Sequence, residues 1–194
     1  MVENIYDVVI IGGGSAGLTA AIYACRARLN VLMIERFFPG GQLMMCDLIE
    51  NFPAQPKGIS GAELAALLQE QAEKFGLQIK YSEVADVEFD GQVKTLTTQD
   101  GEVIQAKTVI LSLGARPRSL GAKGESEFLG KGVSYCAVCD GALFSGKKLA
   151  VVGGGDTAVE DSMFLTRFAT EVHIIHRRDK LRAQQIIQER AFAN

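Results

Sequence analysis

The sequence predicts an α/β protein built twice from one unit, and three observations carry the prediction. A short apolar run rich in β-branched residues ends in glycines at "DVVIIGGGSAGL", and the same pattern returns at "LAVVGGGDTAV". Each copy continues into a helix-length stretch and then a second apolar run, "VLMI" and "EVHII". Between the copies, the buried-strand signature "TVILSLG" gives way to polar, glycine-bearing "ARPRSLGAKGESEFLGKG", a composition shift that marks a domain boundary near Ala115. The expected domains are 1–115 and 116–194. Strand, glycine turn, helix and parallel strand in sequence is the dinucleotide-binding arrangement, so the fold class is two Rossmann-like units.

The elements follow in order. Ile5 to Ile11 reads as a buried strand, Ser15 to Arg28 as a helix and Val31 to Ile34 as the next strand. Arg36 to Ser60 is a long irregular stretch, and connections of that length are usually functional or disordered. Gly61 to Phe75 reads as a helix with Leu64, Leu67, Leu68, Ala72 and Phe75 on one face. Gln78 to Gln105 reads as a β-meander, because Asp90-Gly91 and Asp100-Gly101 are hairpin signals. Thr108 to Gly114 is another buried strand, and the second unit occupies Lys147 to Arg178.

Bulk properties narrow the function. The chain has 194 residues, 47% of them hydrophobic and 22% charged, which is enough to bury a core. A net charge of −3 argues against nucleic-acid binding. The charge-free run from Val8 to Cys25 imitates a membrane span, but Gly12, Gly13, Gly14 and Gly17 fit strand–turn–helix better. A secretory leader has a basic start, whereas Glu3 and Asp7 precede this run. The expectation is a cytoplasmic protein with no membrane segment.

Four cysteines at positions 25, 46, 136 and 139 make no secreted disulfide framework and no zinc site, since zinc takes paired half-sites and only one pair exists. No metal is expected. Cys25 falls on the apolar face of the first helix and is expected to be buried, as is Cys46 in "LMMCDL".

Gly12, Gly14 and Gly17 satisfy GxGxxG directly after a strand. The first glycine allows the tight turn, the second close approach to a pyrophosphate, and the third close helix–strand packing. The helix N-terminus offers free N–H groups to the diphosphate. Glu35 closes the second strand, where a carboxylate accepts ribose hydroxyls. In the second unit Gly153, Gly155 and Ala158 give GxGxxA. His176 lies as far from Gly153 as Glu35 lies from Gly12, and Arg177, Arg178 and Arg182 follow it. A carboxylate repels a ribose 2′-phosphate and guanidinium groups pair with it, so this site is read as preferring NADP(H); the plainer reading is a solvated basic helix start. His173, within its strand, is read as a packed or edge residue rather than a catalytic one. Two unlike sites fit one resident flavin and one exchanging nicotinamide.

"GVSYCAVCDG" places Cys136 and Cys139 beside Asp140. Zinc half-site, structural bridge and electron-carrying dithiol are all compatible with CxxC spacing. Two redox-cofactor signatures on the same chain favour the dithiol, whose nucleophilicity a neighbouring helix terminus or charge can raise. Asp140 suits proton transfer during exchange; a cap or turn role is its alternative.

"IIGGGSAGLTAAIY", "GGQL", "IENFP", "GVSYCAVCDG", "VVGGGDTAVED" and "HRRDKLRA" occur in an order and spacing that resemble low-molecular-weight, prokaryotic-type thioredoxin reductases, over nearly the whole chain. The resemblance implies three-layer ββα domains, a homodimer, and electrons passing from NADPH through FAD to the CxxC pair and on to thioredoxin. It implies that Gly12, Gly14, Ser15, Ala16, Gly17 and Glu35 hold the adenine half of FAD, and that Gly41, Gln42 and Asn51 lie along the flavin and ribityl chain. Gly114 would close over the FAD. Cys139 would face the flavin, Cys136 would attack the thioredoxin disulfide, and Asp140 would be the acid/base. Gly153, Gly155, Asp156, Thr157, His176, Arg177, Arg178 and Arg182 would hold NADPH, and Ala115 to Ser119 would be a hinge.

"SLGA" stands where the family usually has an "ATGA"-like sequence, and "FPAQPKG" where "FPG" is common. Family members run well beyond this length, so both domains are expected to be incomplete here, with weak FAD retention. The alternatives are a relative using ferredoxin or a peroxiredoxin system, or a non-catalytic nucleotide-binding fragment.

Overall fold

The computed structural model describes residues 5–194; Glu3, used above against a secretory leader, lies outside the described residues. The chain divides into two units, Met1–Arg116 and Pro117–Asn194.

Unit 1 is organised on a six-stranded sheet. Its elements are β1 (Tyr6–Ile11), α1 (Ser15–Arg26), β2 (Val31–Glu35), α2 (Gly61–Lys74), β3 (Gln78–Tyr81), β4 (Val84–Glu88), β5 (Lys94–Thr98) and β6 (Val103–Leu111), with a 3₁₀ turn at Gly41–Met45. The strand order is β3-β2-β1-β6-β5-β4. β3, β2, β1 and β6 run parallel, while β4, β5 and β6 are antiparallel.

Alternation along β1 and β2 divides the core in two. Val8, Ile10, Val31 and Met33 pack with Leu18, Ala21 and Ile22 of α1 and with Leu64, Leu68 and Ala72 of α2. Val9, Ile11, Leu32 and Ile34 face the other way, onto Leu96, Ile104 and Ala106. Successive strand side chains point to opposite faces, so one central sheet is covered by helices on one side and by the meander on the other. These are the three layers. Ile10, Leu18 and Met33 are fully buried, each worth roughly 2 kcal/mol relative to exposure.

The expected meander over Gln78–Gln105 holds only in part. β3 instead joins the parallel sheet beside β2, with Leu32 opposite Gln78, and both Asp-Gly pairs lie in the connections β4–β5 and β5–β6. The two strands expected around Gln105 and Thr108 are one strand, β6. Its first half pairs with β5 (Leu96 opposite Ile104) and its second half with β1 (Ile10 opposite Ile110), so it carries the chain from one layer to the other.

Helix ends have local causes. α1 stops at Arg26, two residues short of expectation, because Arg28 takes a left-handed φ of 63°. Ser60 caps α2, its Oγ accepting the Glu63 N–H at 3.1 Å. The same Ser-x-x-Glu spacing is a capping signature in the sequence. Leu64, Leu68 and Ala72 are buried on α2 as expected, but Leu67 is exposed, off that stripe. Cys25 is buried as expected and Cys46 is exposed. Cys46 follows the 3₁₀ turn, in a segment with no regular face to bury.

Unit 2 contains a short helix α3 (Ala137–Asp140), a 3₁₀ turn at Gly141–Phe144, β7 (Lys148–Val152), α4 (Asp156–Leu165), β8 (Glu171–Ile175) and α5 (Gln185–Phe192). β7 and β8 are parallel, with Ala150 opposite His173. Val159, Ala183 and Ile187 form its core. Val152 and Ile175 are 51% and 53% exposed, so the apolar strand ends are covered on one side at most. His173 is exposed on β8 and bonded to Glu171 Oε1 at 2.9 Å, the edge role expected of it.

The irregular segment before α3 is gathered by one carboxylate. Glu125 accepts the Ser119 hydroxyl (2.8 Å), the Leu120 N–H (2.8 Å), the Gly121 N–H (2.7 Å) and the Tyr135 hydroxyl. The Tyr135 hydroxyl first, and then the backbone donors, push the Glu125 carboxyl down from 4.5 to about 2. A carboxyl depressed by folding contributes stability above its unfolded value and loses it as pH falls through the folded one. The Leu120 and Gly121 amide signals in NMR spectra should therefore titrate together with a midpoint near 2 and show no such transition in Glu125→Gln; a common midpoint near 4.5 would sink the account.

Candidate functional site

Unit 1 carries a cleft of about 510 Å³ at the C-terminal ends of β1 and β6. Gly12, Gly14, Ser15, Ala16, Glu35, Gly41, Gln42 and Gly114 all line it. They come from the glycine turn, the end of β2, the 3₁₀ turn and the segment after β6. In parallel α/β sheets that is the crevice where ligands bind.

The three glycines of the motif do different things. Gly12 has φ 99°, and a Cβ there would lie 2.3 Å from the Ser112 carbonyl oxygen. A Cβ at Gly17 would lie 1.9 Å from the Gly12 carbonyl oxygen, so Gly17 is a packing residue beneath the cleft. A Cβ at Gly14 would meet nothing within 4 Å. Nothing in the described protein requires glycine there, and the room belongs to the cleft.

α1 begins at this point with no side-chain cap, leaving its first N–H groups turned to the cleft with the positive end of the helix dipole. Glu35 is tied down beside them. Its Oε2 accepts the Gly13 N–H at 2.6 Å and its Oε1 the Phe37 N–H at 3.1 Å. An ionised carboxylate has about four acceptor positions, so acceptor capacity remains. An uncapped helix terminus, open space at Gly14 and a fixed carboxylate fit the pyrophosphate and adenosine ribose of a dinucleotide.

Two further contacts shape the cleft. Gln42 Nε2 donates to the Ala115 carbonyl at 2.9 Å, joining the 3₁₀ turn to the segment after β6. Ser112 Oγ lies 2.9 and 2.7 Å from the carbonyls of Ile11 and Gly12 and donates its proton there. Ser112 was not among the expected site residues, because only the pairing of β1 with β6 brings it to the turn. Asn51 is exposed in the loop and does not line the cleft.

Unit 2 repeats the turn. A Cβ at Gly153 would lie 2.6 Å from Ala158 Cβ, and one at Gly155 would meet nothing. A Cβ at Gly154 would fall 2.5 to 2.7 Å from the His176 ring, where the matching Gly13 faces Glu35. His176 therefore occupies in unit 2 the place of Glu35 in unit 1. Its Nε2 is buried and has no partner among the described residues. Arg177, Arg178 and Arg182 are exposed, as is Thr157 in the first turn of α4. Asp156 is already engaged. Its Oδ1 accepts the Gln184 N–H (2.7 Å) and its Oδ2 the Gln184 side-chain amide (2.9 Å). The Gln184 backbone and side chain hold its carboxyl below the usual range. The Arg182 N–H donates to the Gly154 carbonyl at 2.6 Å, which brings the arginine-bearing segment onto the turn.

Cys136 and Cys139 form a disulfide with Cα atoms 5.3 Å apart. Cys136 is the N-cap of α3, and its Sγ accepts the Cys139 N–H at 3.1 Å. Cys139 is exposed and Cys136 half-buried. Asp140 ends α3, and Ser134, which the sequence reading passed over, donates its hydroxyl to Asp140 Oδ2 at 2.6 Å. Among the described residues no group of three or more His, Cys, Asp or Glu could hold a metal ion, and no helix is long and apolar enough to cross a membrane. The run from Val8 to Cys25 is β1, the turn and α1.

Paired glycine-turn units with a CxxC disulfide in the second define a class of dinucleotide-fold proteins built around a disulfide. The chain belongs to the pyridine nucleotide-disulphide oxidoreductase family, whose model matches residues 6–193. It is 52% identical over 192 residues to the thioredoxin reductase of Bacillus subtilis, covering 99% of this chain and 60% of that protein. The thioredoxin reductase of Lactococcus lactis superposes with a TM-score of 0.94 at 48% identity, over 97% of this chain and 62% of that one. That of T. acidophilum superposes with a TM-score of 0.92 at 34% identity, over 98% and 62%. The chain thus spans about three fifths of the length of these relatives.

Proposed function

We propose that the protein acts as a thioredoxin-disulfide reductase, with FAD on residues 1–115, NADPH on residues 116–194, and the Cys136–Cys139 pair as the acceptor of electrons and donor to thioredoxin. The carrying observation is the matched pair Glu35 and His176. The same position over the same glycine turn is a carboxylate in one unit and an imidazole followed by arginines in the other. The carboxylate suits the unmodified ribose of FAD. The imidazole and the exposed arginines suit a ribose 2′-phosphate, and a hydrogen-bonding ligand would satisfy the unpaired His176 Nε2.

In this reading the helix α1 N-terminus and Gly14 hold the diphosphate, while Gly41, Gln42 and Gly114 border the flavin end. Asn51 would reach that end only with a ligand present. Gly153, Gly155, Asp156, Thr157, Arg177, Arg178 and Arg182 hold NADPH, with Asp156 also fixing the Arg182 segment through Gln184. FAD, when bound, supplies two-electron transfer from nicotinamide to disulfide. The whole protein is proposed to be a cytoplasmic homodimer, the homodimer being what the family resemblance implies.

The test is a spectrum. FAD is added to the purified chain, excess is removed, and NADPH or NADH is then added without oxygen. The expected result is a small fraction of flavin, in keeping with the weak retention expected above, that NADPH bleaches at least about tenfold faster than NADH, the scale of one charge-assisted pair. Retained flavin bleached by neither would overturn NADPH as donor and favour another, such as ferredoxin. Equal rates would overturn the 2′-phosphate reading.

A further inference from the structure

We propose that Ser134 is the positioning residue of the disulfide site, one hydroxyl that fixes Asp140 against the Cys136 backbone and has a partner for its proton in both protonation states of Asp140. The inference rests on the reading of Asp140 as the acid/base of the exchange and goes beyond it by naming the group that holds Asp140 in place.

The geometry is closed on itself. The Cys136 N–H donates to Ser134 Oγ at 3.0 Å. Ser134 Oγ lies 2.6 Å from Asp140 Oδ2 and 3.2 Å from the Cys136 carbonyl oxygen. The Asp140 N–H donates to that same carbonyl at 3.1 Å. A serine hydroxyl has one proton and two lone pairs. One lone pair is taken by the Cys136 N–H, so the proton must choose between the carboxylate and the carbonyl. With Asp140 ionised it goes to the carboxylate, the shorter and charge-assisted bond. With Asp140 protonated at Oδ2, the carboxyl proton is donated to Ser134 Oγ, and the serine proton turns to the Cys136 carbonyl. None of these groups loses its partner in either state, so the proton transfer avoids the cost of an unsatisfied half-buried group.

Applied to exchange, the step balances. An external thiolate attacks Cys139 Sγ, a new S–S bond forms to Cys139, and the Cys136–Cys139 bond breaks. The electron pair leaves on Cys136 Sγ, which receives the carboxyl proton of Asp140. Asp140 becomes the carboxylate and the serine proton swings back to it. The short helix that ends in Asp140 packs against α4 and the following 3₁₀ turn. Gly141, next in the chain, packs on Leu165 and Phe164 of α4, whose titratable residues are Asp156, Glu160 and Asp161. Asp161 stands one turn before Leu165 and is pushed up to about 6 by burial and then by Glu160. The 3₁₀ turn Gly141–Phe144 carries no titratable group.

The experiment uses the full chain and dithiothreitol, so it needs neither cofactor nor thioredoxin, and the inference can fail or stand independently of the proposed acceptor. The rate of Cys136–Cys139 reduction is measured against pH for the parent, Ser134→Ala, Ser134→Thr, Asp140→Asn and the double variant Ser134→Ala with Asp140→Asn. Ser134→Ala is expected to be roughly tenfold slower near neutral pH, a part of the roughly 10²–10⁴-fold that general acid catalysis supplies, because Asp140 stays but is less well held. That deficit should shrink as pH rises, because the leaving thiolate then needs no proton. Ser134→Thr should recover most of the rate, and Ser134→Ala should add nothing in the Asp140→Asn background. Should Ser134→Ala fail to fold, Ser134→Gly takes its place with the same expectation. An unchanged rate, a deficit constant across pH, or the same loss in the Asp140→Asn background would each overturn the proposal, the last two by showing that Ser134 merely supports the loop.

Discussion

Gly17→Ala is expected to destabilise unit 1 severely, while Gly14→Val is expected to cost it only the roughly 1 kcal/mol of a poorer N-cap and to abolish FAD binding. The two substitutions fall three residues apart and fail by different physics. A Cβ at Gly17 would sit 1.9 Å from the Gly12 carbonyl oxygen and 2.8 Å from Ser112 Oγ. The first of these is backbone and cannot swing away, so α1 must lift from β1. Overpacking of this kind costs about 1–3 kcal/mol and more where backbone has to move. Alanine returns about 1 kcal/mol of helix propensity, which does not cover it. Against a typical domain stability of 5–15 kcal/mol the loss is large, and the melting temperature should fall by about 4–8 °C for each kcal/mol lost.

Gly14 has φ −71° and ψ −173°, open to any residue, and free space beyond its Cα. A valine Cβ there meets no protein atom within 4 Å, and the side chain is expected to fill the room a diphosphate would take. Calorimetry of both variants, with FAD titration of Gly14→Val, checks the pair. Undiminished FAD affinity in Gly14→Val would remove the diphosphate from that position, and a parental melting temperature for Gly17→Ala would mean α1 is free to shift.

The division between what the sequence revealed and what it hid follows the range of the interactions. The glycine turns, the strands around them and the His176 position were legible because each depends on residues at fixed short spacing. Equal spacing alone put His176 over Gly154, and the structure seats its ring there. β3 was misassigned because four residues of "QIKY" carry no record of their partner, and only pairing with β2 separates them from the meander. Leu67 was misplaced by taking every apolar residue of α2 as core, although the buried stripe runs through Leu64, Leu68 and Ala72. Ser112 and Ser134 were invisible for a shared reason. Each is an ordinary serine whose hydroxyl acts on backbone that the fold brings back from elsewhere or on a carboxylate a turn away. Asp156 was read as a ligand group, and its engagement by Gln184 went unforeseen, a contact spanning a helix and a strand that no local spacing encodes.

Cys136→Ser is expected to trap a mixed disulfide with thioredoxin through Cys139, and Cys139→Ser is expected to trap little or none. Both variants should lose turnover by about a thousandfold or more, since neither retains a disulfide to accept electrons, as with removal of any covalent catalytic group. The asymmetry in trapping comes from unit 2. Cys139 is exposed and Cys136 half-buried, so an incoming protein thiolate or disulfide meets Cys139 first. Cys136 Sγ accepts the Cys139 N–H at 3.1 Å, and a sulfur so placed is the better leaving group because that N–H stabilises its negative charge. Reduction of the bridge from outside therefore passes through Cys139, with Cys136 expelled. The reverse path uses the same intermediate, so the expectation from exposure is that Cys139 attacks the acceptor and Cys136 resolves it. The resemblance implied the opposite order, with Cys136 attacking. Mass spectrometry decides between them, with each variant incubated with a single-cysteine thioredoxin activated as its mixed disulfide with thionitrobenzoate, so that the attacking thiolate forms the new S–S bond and expels thionitrobenzoate. A mixed disulfide accumulating only on Cys136 in Cys139→Ser would show that exposure within unit 2 does not govern which sulfur the acceptor reaches, and would restore the order the family resemblance implies.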